Sequence, residues 1–190
     1  MSVVHPIEAE SYRLLARRVD LANYGPLGRE VVARVIHASA DLEYAATMVV
    51  DEDALAAGAE ALRAGAPVIT DVEMTRAGIT GVAARCYLSE AMAGEDGERT
   101  RAAAAMRLAA TRHPEGAVVV VGCAPTALQE LLRTAIRPAL VVGLPVGFVG
   151  AAEAKSALRE SGLPAVSNVG EKGGSAVAAA AVNALARAGL

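Results

Sequence analysis

The chain has 190 residues, 54% of them apolar and 21% charged, with a net charge of −3. That length and balance suit one soluble domain with a full core, read here as spanning residues 1–190. Aromatic residues make up 3%, with no Trp and one Phe, so the stacking platforms of single-strand binders and the basic footprint of nucleic-acid binding are both missing.

The two cysteines, Cys86 and Cys123, each sit in an apolar run, which fits two buried thiols in a reducing cytoplasm better than a disulfide framework. The first ten residues hold neither a basic nor an apolar segment, and later apolar runs are broken by Gly, Pro and charge. No export signal and no membrane span are expected.

In chain order, a helix is expected over residues 8–19, a turn at Asn23-Tyr24-Gly25-Pro26, and a second helix over 30–48. A step of ~100° per residue puts Glu30, Arg34, His37, Asp41 and Tyr44 on one stripe of that second helix. Val31, Val32, Val35, Ile36, Leu42 and Ala46 form the opposite face. His37 therefore points away from its own helix's core, set between a cation and a carboxylate. The stripe has two readings: a solvated face on which Glu30 and Arg34 form an i, i+4 ion pair, or the wall of a cleft or subunit contact.

Further on, helices over 53–64, 99–112, 125–136, 151–161 and 174–188 alternate with strands over 67–70, 83–88, 117–121, 139–143 and 164–168. Such alternation marks a parallel sheet. Most of these strands lack strict apolar and polar alternation, so both faces are covered and the result is a three-layer α/β sandwich. Residues 93–98, Ala-Gly-Glu-Asp-Gly-Glu, read as the most exposed loop.

In open parallel sheets the ligand crevice lies beyond the carboxyl ends of the strands. Three loops there are rich in glycine, over residues 121–127, 143–150 and 170–175. In the first, Pro125 near the first helical position leaves backbone N–H groups free to receive a carboxylate or phosphate. Glycines in such loops also serve tight turns and close packing. Neither G-x-x-x-x-G-K-[ST] nor G-x-G-x-x-G occurs, so phosphate cofactors find little support. His5, His37 and His113 are scattered and no Cys shares a motif with another soft ligand, so no protein-bound metal site is expected. Without a G-x-S-x-G elbow, nucleophilic catalysis is weakly supported as well.

Five blocks in order resemble the precorrin-8 methylmutase family, metal-free and cobalt branches together. They are Arg34-Val35-Ile36-His37; Ile69-Thr70-Asp71-Val72-Glu73-Met74 with Gly78-Ile79-Thr80; Ala124-Pro125-Thr126-Ala127-Leu128; residues 145–153 from Pro145 to Glu153; and Gly173-Gly174-Ser175-Ala176 with Val182-Asn183-Ala184-Leu185. The resemblance covers nearly the whole chain. It implies a flavodoxin-like α/β/α sandwich with a mainly parallel five-stranded sheet, a cytoplasmic homodimer, and a cofactor-free isomerase of corrin biosynthesis. The reaction implied is a formal 1,5-sigmatropic shift that moves a methyl group from carbon 11 to carbon 12 of (cobalt-)precorrin-8.

The family's functional histidine falls on His37, which the resemblance makes a general acid in a tetrapyrrole pocket. An imidazole suits that role because it gives and accepts a proton near neutral pH. Asp41 is its candidate orienter. The family's substrate-contacting serine falls on Ser11 and an arginine falls on Arg101, so that Arg34 and Arg101 would hold peripheral carboxylates. Thr80, Gly81, Gly122, Ala124 and Thr126 complete the implied substrate-binding set. Many relatives carry Asn where this chain has Cys123, which removes a side-chain amide there. Residues 38–41 and 86–89 look more like the cobalt branch. A non-catalytic tetrapyrrole carrier would present the same pocket, and a flavin binder is the reading that fold analogy alone would offer.

Overall fold

In the computed structural model, residues 5–92 and 100–188 are described; the loop expected over 93–98 lies outside them. The elements are α1 (Pro6–Ala16), α2 (Pro26–Ser39), α3 (Tyr44–Thr47), β1 (Met48–Val50), α4 (Glu52–Arg63), β2 (Val68–Thr70), α5 (Glu73–Gly78) and β3 (Ala84–Cys86). They continue with α6 (Arg101–Arg112), β4 (Val118–Val121), α7 (Pro125–Leu131), β5 (Leu140–Gly143), α8 (Ala151–Glu160), β6 (Ala165–Asn168) and α9 (Ser175–Ala188). The sheet order is β1-β6-β5-β4-β2-β3. All neighbours pair in parallel except β1, which runs antiparallel to β6 with Met48 opposite Asn168.

Alternate residues of the central strands feed two cores. Val68, Val118, Val120, Leu140, Val142 and Val166 pack with buried residues of α2, α4 and α9. Ile69, Val119, Val121 and Val141 pack with those of α6, α7 and α8. This is the period-2 geometry of a strand covered on both faces. It explains why β4 is four consecutive, fully buried valines. Helix α9 is the central helix of its layer and is buried from Val177 to Ala186. Its alanines allow neighbours close approach: a Cβ on Gly78 of α5 would lie 2.8 Å from the Ala179 Cβ.

Two expectations are corrected. The sheet has six strands rather than five, because residues 48–50 form edge strand β1 by pairing with β6. The second helix runs from Pro26 to Ser39, not over 30–48. Pro26 starts it, and the Glu52 carboxylate of α4 caps it from a distance by accepting from Leu27 N (2.7 Å) and Gly28 N (3.0 Å). Its end is set at Ala40, which adopts the left-handed conformation (φ 53°) and donates its N–H to Ile36 O. With neither Gly nor Pro there, the sequence carries no stop signal. Asp41 and Tyr44 consequently leave the helical stripe, and Tyr44 is buried in the core.

Candidate active site

Helix α1 begins with His5, whose Nδ1 accepts from Ile7 N, and it buries only Leu15. Polar contacts therefore do much of the work of holding it against α2. Ser11 Oγ and His37 Nδ1 are hydrogen-bonded at 2.8 Å. The Tyr12 ring stacks on the imidazole with centroids 5.0 Å apart and planes 11° from parallel. Arg34 donates to the Glu8 carboxylate and to the Tyr12 hydroxyl (3.3 Å), and Arg187 of α9 donates to the same carboxylate at 2.9 Å. Arg187 and then Arg34 hold the Glu8 carboxyl below the usual carboxylate range.

Arg34 thus pairs across to α1 rather than with Glu30 on its own helix. His37 Nε2 has no protein partner among the described residues. The imidazole lines a cavity of about 530 Å³ between α1 and α2, whose walls include Ile7, Leu14, Leu15, Ile36 and Leu42. Ile7 is 75% exposed, Leu14 40% and Leu42 39%, a mainly apolar rim that Glu10 and Arg18 share.

Asp41 does not orient the imidazole in this structure. It lies past the helix end, where it accepts from Lys172 Nζ (2.7 Å), and Lys172 also pairs with Glu43 (2.9 Å). The Lys172 contact holds the Asp41 carboxyl below its usual value. Lys172 belongs to the glycine-rich loop after β6, so the end of α2 sits at the same edge as the carboxyl ends of the parallel strands.

At that edge, setting aside antiparallel β1, the five parallel strands follow the flavodoxin order 2-1-3-4-5, with the topological switch between β2 and β4. The crevice is filled by the protein itself. Asp71, fully buried at the end of β2, accepts from Gly122 N (3.2 Å), Cys123 N (2.7 Å) and Ala124 N (2.7 Å) at the end of β4. It also accepts from Val72 N (2.9 Å) and Thr75 Oγ1 (2.8 Å), and Thr75 Oγ1 in turn meets Ser175 Oγ at 2.9 Å. The N–H groups read from the sequence as free are therefore committed to Asp71, which also removes the support that fold analogy lent to a flavin. The loop lies tight against α9: a Cβ on Gly122 would come 2.8 Å from the Ser175 Cα.

Of the other expected residues, Gly122, Ala124, Thr126 and Arg101 lie at this edge, whereas Thr80 and Gly81 precede β3 and lie at the opposite, amino-terminal edge of the sheet; none of them lines the His37 cavity. Thr126 Oγ1 meets Thr100 Oγ1 at 2.7 Å, and Thr100 caps α6 by accepting from Ala103 N. Arg101 is exposed and donates to Leu88 O (2.9 Å). Thr80 N and Gly81 N donate to Asn183 Oδ1 (2.9 and 3.2 Å), while Asn183 Nδ2 donates to Gly78 O. The cysteines also depart from expectation: Cys86 is half-buried and Cys123 exposed, both unpaired. Partial burial still pushes both thiols up.

The sequence reading missed Lys155, a fully buried residue of α8. Its Nζ donates to Asn168 Oδ1 (2.9 Å) and Lys172 O (2.5 Å) and braces the loop after β6 from within. Burial, reinforced by neighbouring Arg159, lowers its pKa to about 8. The residue lay inside a matched block's helix, but nothing in periodicity distinguishes a buried lysine from a solvated one.

These features define a flavodoxin-like α/β/α protein whose switch point is closed by its own carboxylate and which sets an imidazole, bonded among the described residues through Nδ1 alone, beside a largely apolar cavity. The profile of the precorrin-8X methylmutase family matches residues 6–188. A cobalt-precorrin-8 methylmutase of Methanocaldococcus jannaschii is 40% identical over 179 residues, 90% of this chain and 84% of that one. A precorrin-8X methylmutase of a Sinorhizobium species is 40% identical over 97% of this chain and 94% of its own length. The crystal structure of a precorrin-8X methylmutase from Thermus thermophilus superposes with a TM-score of 0.84 at 39% identity, covering 97% of this chain and 98% of that one. The chain belongs to the precorrin-8X methylmutase family, intramolecular methyl-transferring isomerases of cobalamin biosynthesis.

Proposed function

We propose that the protein moves a methyl group from carbon 11 to carbon 12 of precorrin-8 or its cobalt complex, with His37 as general acid. The carrying observation is the imidazole's setting, with Nδ1 bonded to Ser11, the ring plane stacked on Tyr12 and Nε2 without a protein partner beside an apolar cavity. As the imidazolium, His37 donates Nδ1–H to the Ser11 hydroxyl and presents Nε2–H to the macrocycle; giving up the Nε2 proton leaves a neutral ring still held through Nδ1, whose Nε2 takes the proton back after migration. A cavity of about 530 Å³ falls inside the ordinary range of ligand sites, roughly 300–1,000 Å³, and its aliphatic walls suit a flat conjugated ring.

Arg101, exposed at the strand-end loops and bonded to Leu88 O without a carboxylate partner among the described residues, is assigned a peripheral carboxylate in this reading, whereas Arg34 already serves Glu8. Thr80, Gly81, Gly122, Ala124 and Thr126 are the further substrate-side positions in this reading. The working form is a cytoplasmic homodimer. The adjacent and strongly exposed Phe148 and Val149 support it, since neighbouring large apolar side chains left in water favour cover by a partner. Sedimentation at micromolar concentration checks that stoichiometry, and a monomer would end that part of the reading.

The deciding experiment mixes the protein separately with cobalt-containing and metal-free precorrin-8 and follows the visible spectrum. Conversion to the corrin product establishes the reaction, and the faster substrate identifies the branch. A saturable spectral shift without isomerised product would instead mark a carrier.

A further inference from the structure

The β2/β4 switch point is built like an anion site. Three successive backbone N–H groups, from Gly122 to Ala124, and the Thr75 hydroxyl converge on one carboxylate, with distances of 2.7 to 3.2 Å. In doubly wound sheets of this strand order that place takes an external ligand, and converging N–H groups favour negative charge. Here the anion is covalently part of the chain. Asp71 is fully buried, and each of its oxygens is engaged: Oδ1 by Val72 N, Thr75 Oγ1 and Gly122 N, Oδ2 by Cys123 N and Ala124 N.

We infer that Asp71 is a built-in anion that occupies the switch-point site and positions the β4–α7 loop, and that removing its carboxylate opens a site for a small external monocarboxylate. The loop it fixes carries Cys123, Ala124 and Thr126, and through Thr75 and Ser175 it also fixes the start of α9. Asp71 is thus a positioning residue. Its consequence for turnover rests on the functional reading above, whereas its role as the resident anion does not.

The test uses Asp71→Ala, which removes the carboxylate, and Asp71→Asn, which keeps the volume but turns an N–H2 group toward N–H donors. Formate is the probe and chloride at equal ionic strength the control. Amide exchange at Gly122, Cys123 and Ala124 is expected to quicken by ~10- to 10²-fold in both variants, the size of losing charge-assisted hydrogen bonds in one local opening. Formate should then restore protection and raise the melting temperature of Asp71→Ala, saturably. It should leave wild type and Asp71→Asn unmoved, because their sites are filled. Equal formate responses in wild type and Asp71→Ala, or none in Asp71→Ala, would overturn the inference.

Should Asp71→Ala fail to fold, Asp71→Asn decides it: protection of those three amides at the wild-type level would overturn the proposal. With a turning-over wild type, Asp71→Ala should lose kcat/KM and regain it with formate. A wild type without turnover would sink the functional reading while the exchange and melting results still judge the anion.

Discussion

Around His37, a short amphipathic helix is held to the body by one buried leucine and a few side-chain contacts, and its inner walls are aliphatic and partly exposed. Around the sheet, by contrast, buried polar groups brace several turns: Asp71 the one after β4 and Lys155 with Asn168 the one after β6, both at the carboxyl strand ends, and Asn183 the one after α5 at the opposite edge. Among the described residues no buried side-chain polar atom lacks a partner. A fully satisfied polar network rigidifies its surroundings. The difference teaches a division of labour, in which the proposed acid sits in a thinly attached, largely apolar cleft while the strand-end scaffold is locked from within. Local opening is cheapest where few buried contacts must break, which makes α1 the natural element to yield to a large substrate.

The strongest way to break this comparison is His37→Ala. If the cleft holds the chemistry, turnover should fall by ~10²- to 10⁴-fold, with ligand affinity and melting temperature nearly unchanged. Wild-type turnover in that variant would refute the acid role. Next comes Lys155→Met, which leaves Asn168 Oδ1 without its donor and should cost about 1–3 kcal/mol at neutral pH in denaturant unfolding.

The pH dependence sharpens that second test. Lys155 titrates near 8 in the fold against 10.5 when free, so between those values the unfolded chain binds more protons. Wild-type stability therefore rises with pH over that window. The gap to Lys155→Met should widen from pH 8 to pH 10, and a constant gap would show that Lys155 is not held at that lowered value.

Ser11→Ala tests whether Nδ1 needs its partner: a loss of about tenfold in kcat is expected, with a shifted acidic limb of the pH–rate profile, at the size of one hydrogen bond. The smallest effect expected is that of Arg101→Ala, a several-fold rise in KM with little change in the bound-state rate, since a uniform binding contact acts on KM. An unchanged KM would remove Arg101 from the site.

Much of this could be read from residues alone. Alternating valine runs and alanine-rich helices sufficed for the layered parallel sheet, because strand and helix periods are local properties of the chain. His37 stood out because its neighbours Val35 and Ile36 pointed to the core and it did not, and the matched blocks supplied its chemistry. The switch-point loop misled for a physical reason: a run of N–H groups after a strand looks the same whether a ligand or a distant carboxylate fills it.

The end of α2 was hidden too, since Ala40 takes a left-handed backbone with no glycine to announce it. Strand β1 exists only through its partner β6. What the sequence determined by itself was therefore the layered class and the family, and it singled out His37 as the candidate acid. Tertiary structure alone decided that Ser11 rather than Asp41 meets the imidazole, that Arg34 serves Glu8, that Asp71 closes the crevice and that Lys155 lies buried. Each of these is a contact between groups far apart in the chain, and its energy depends on distance and burial, which no local pattern encodes.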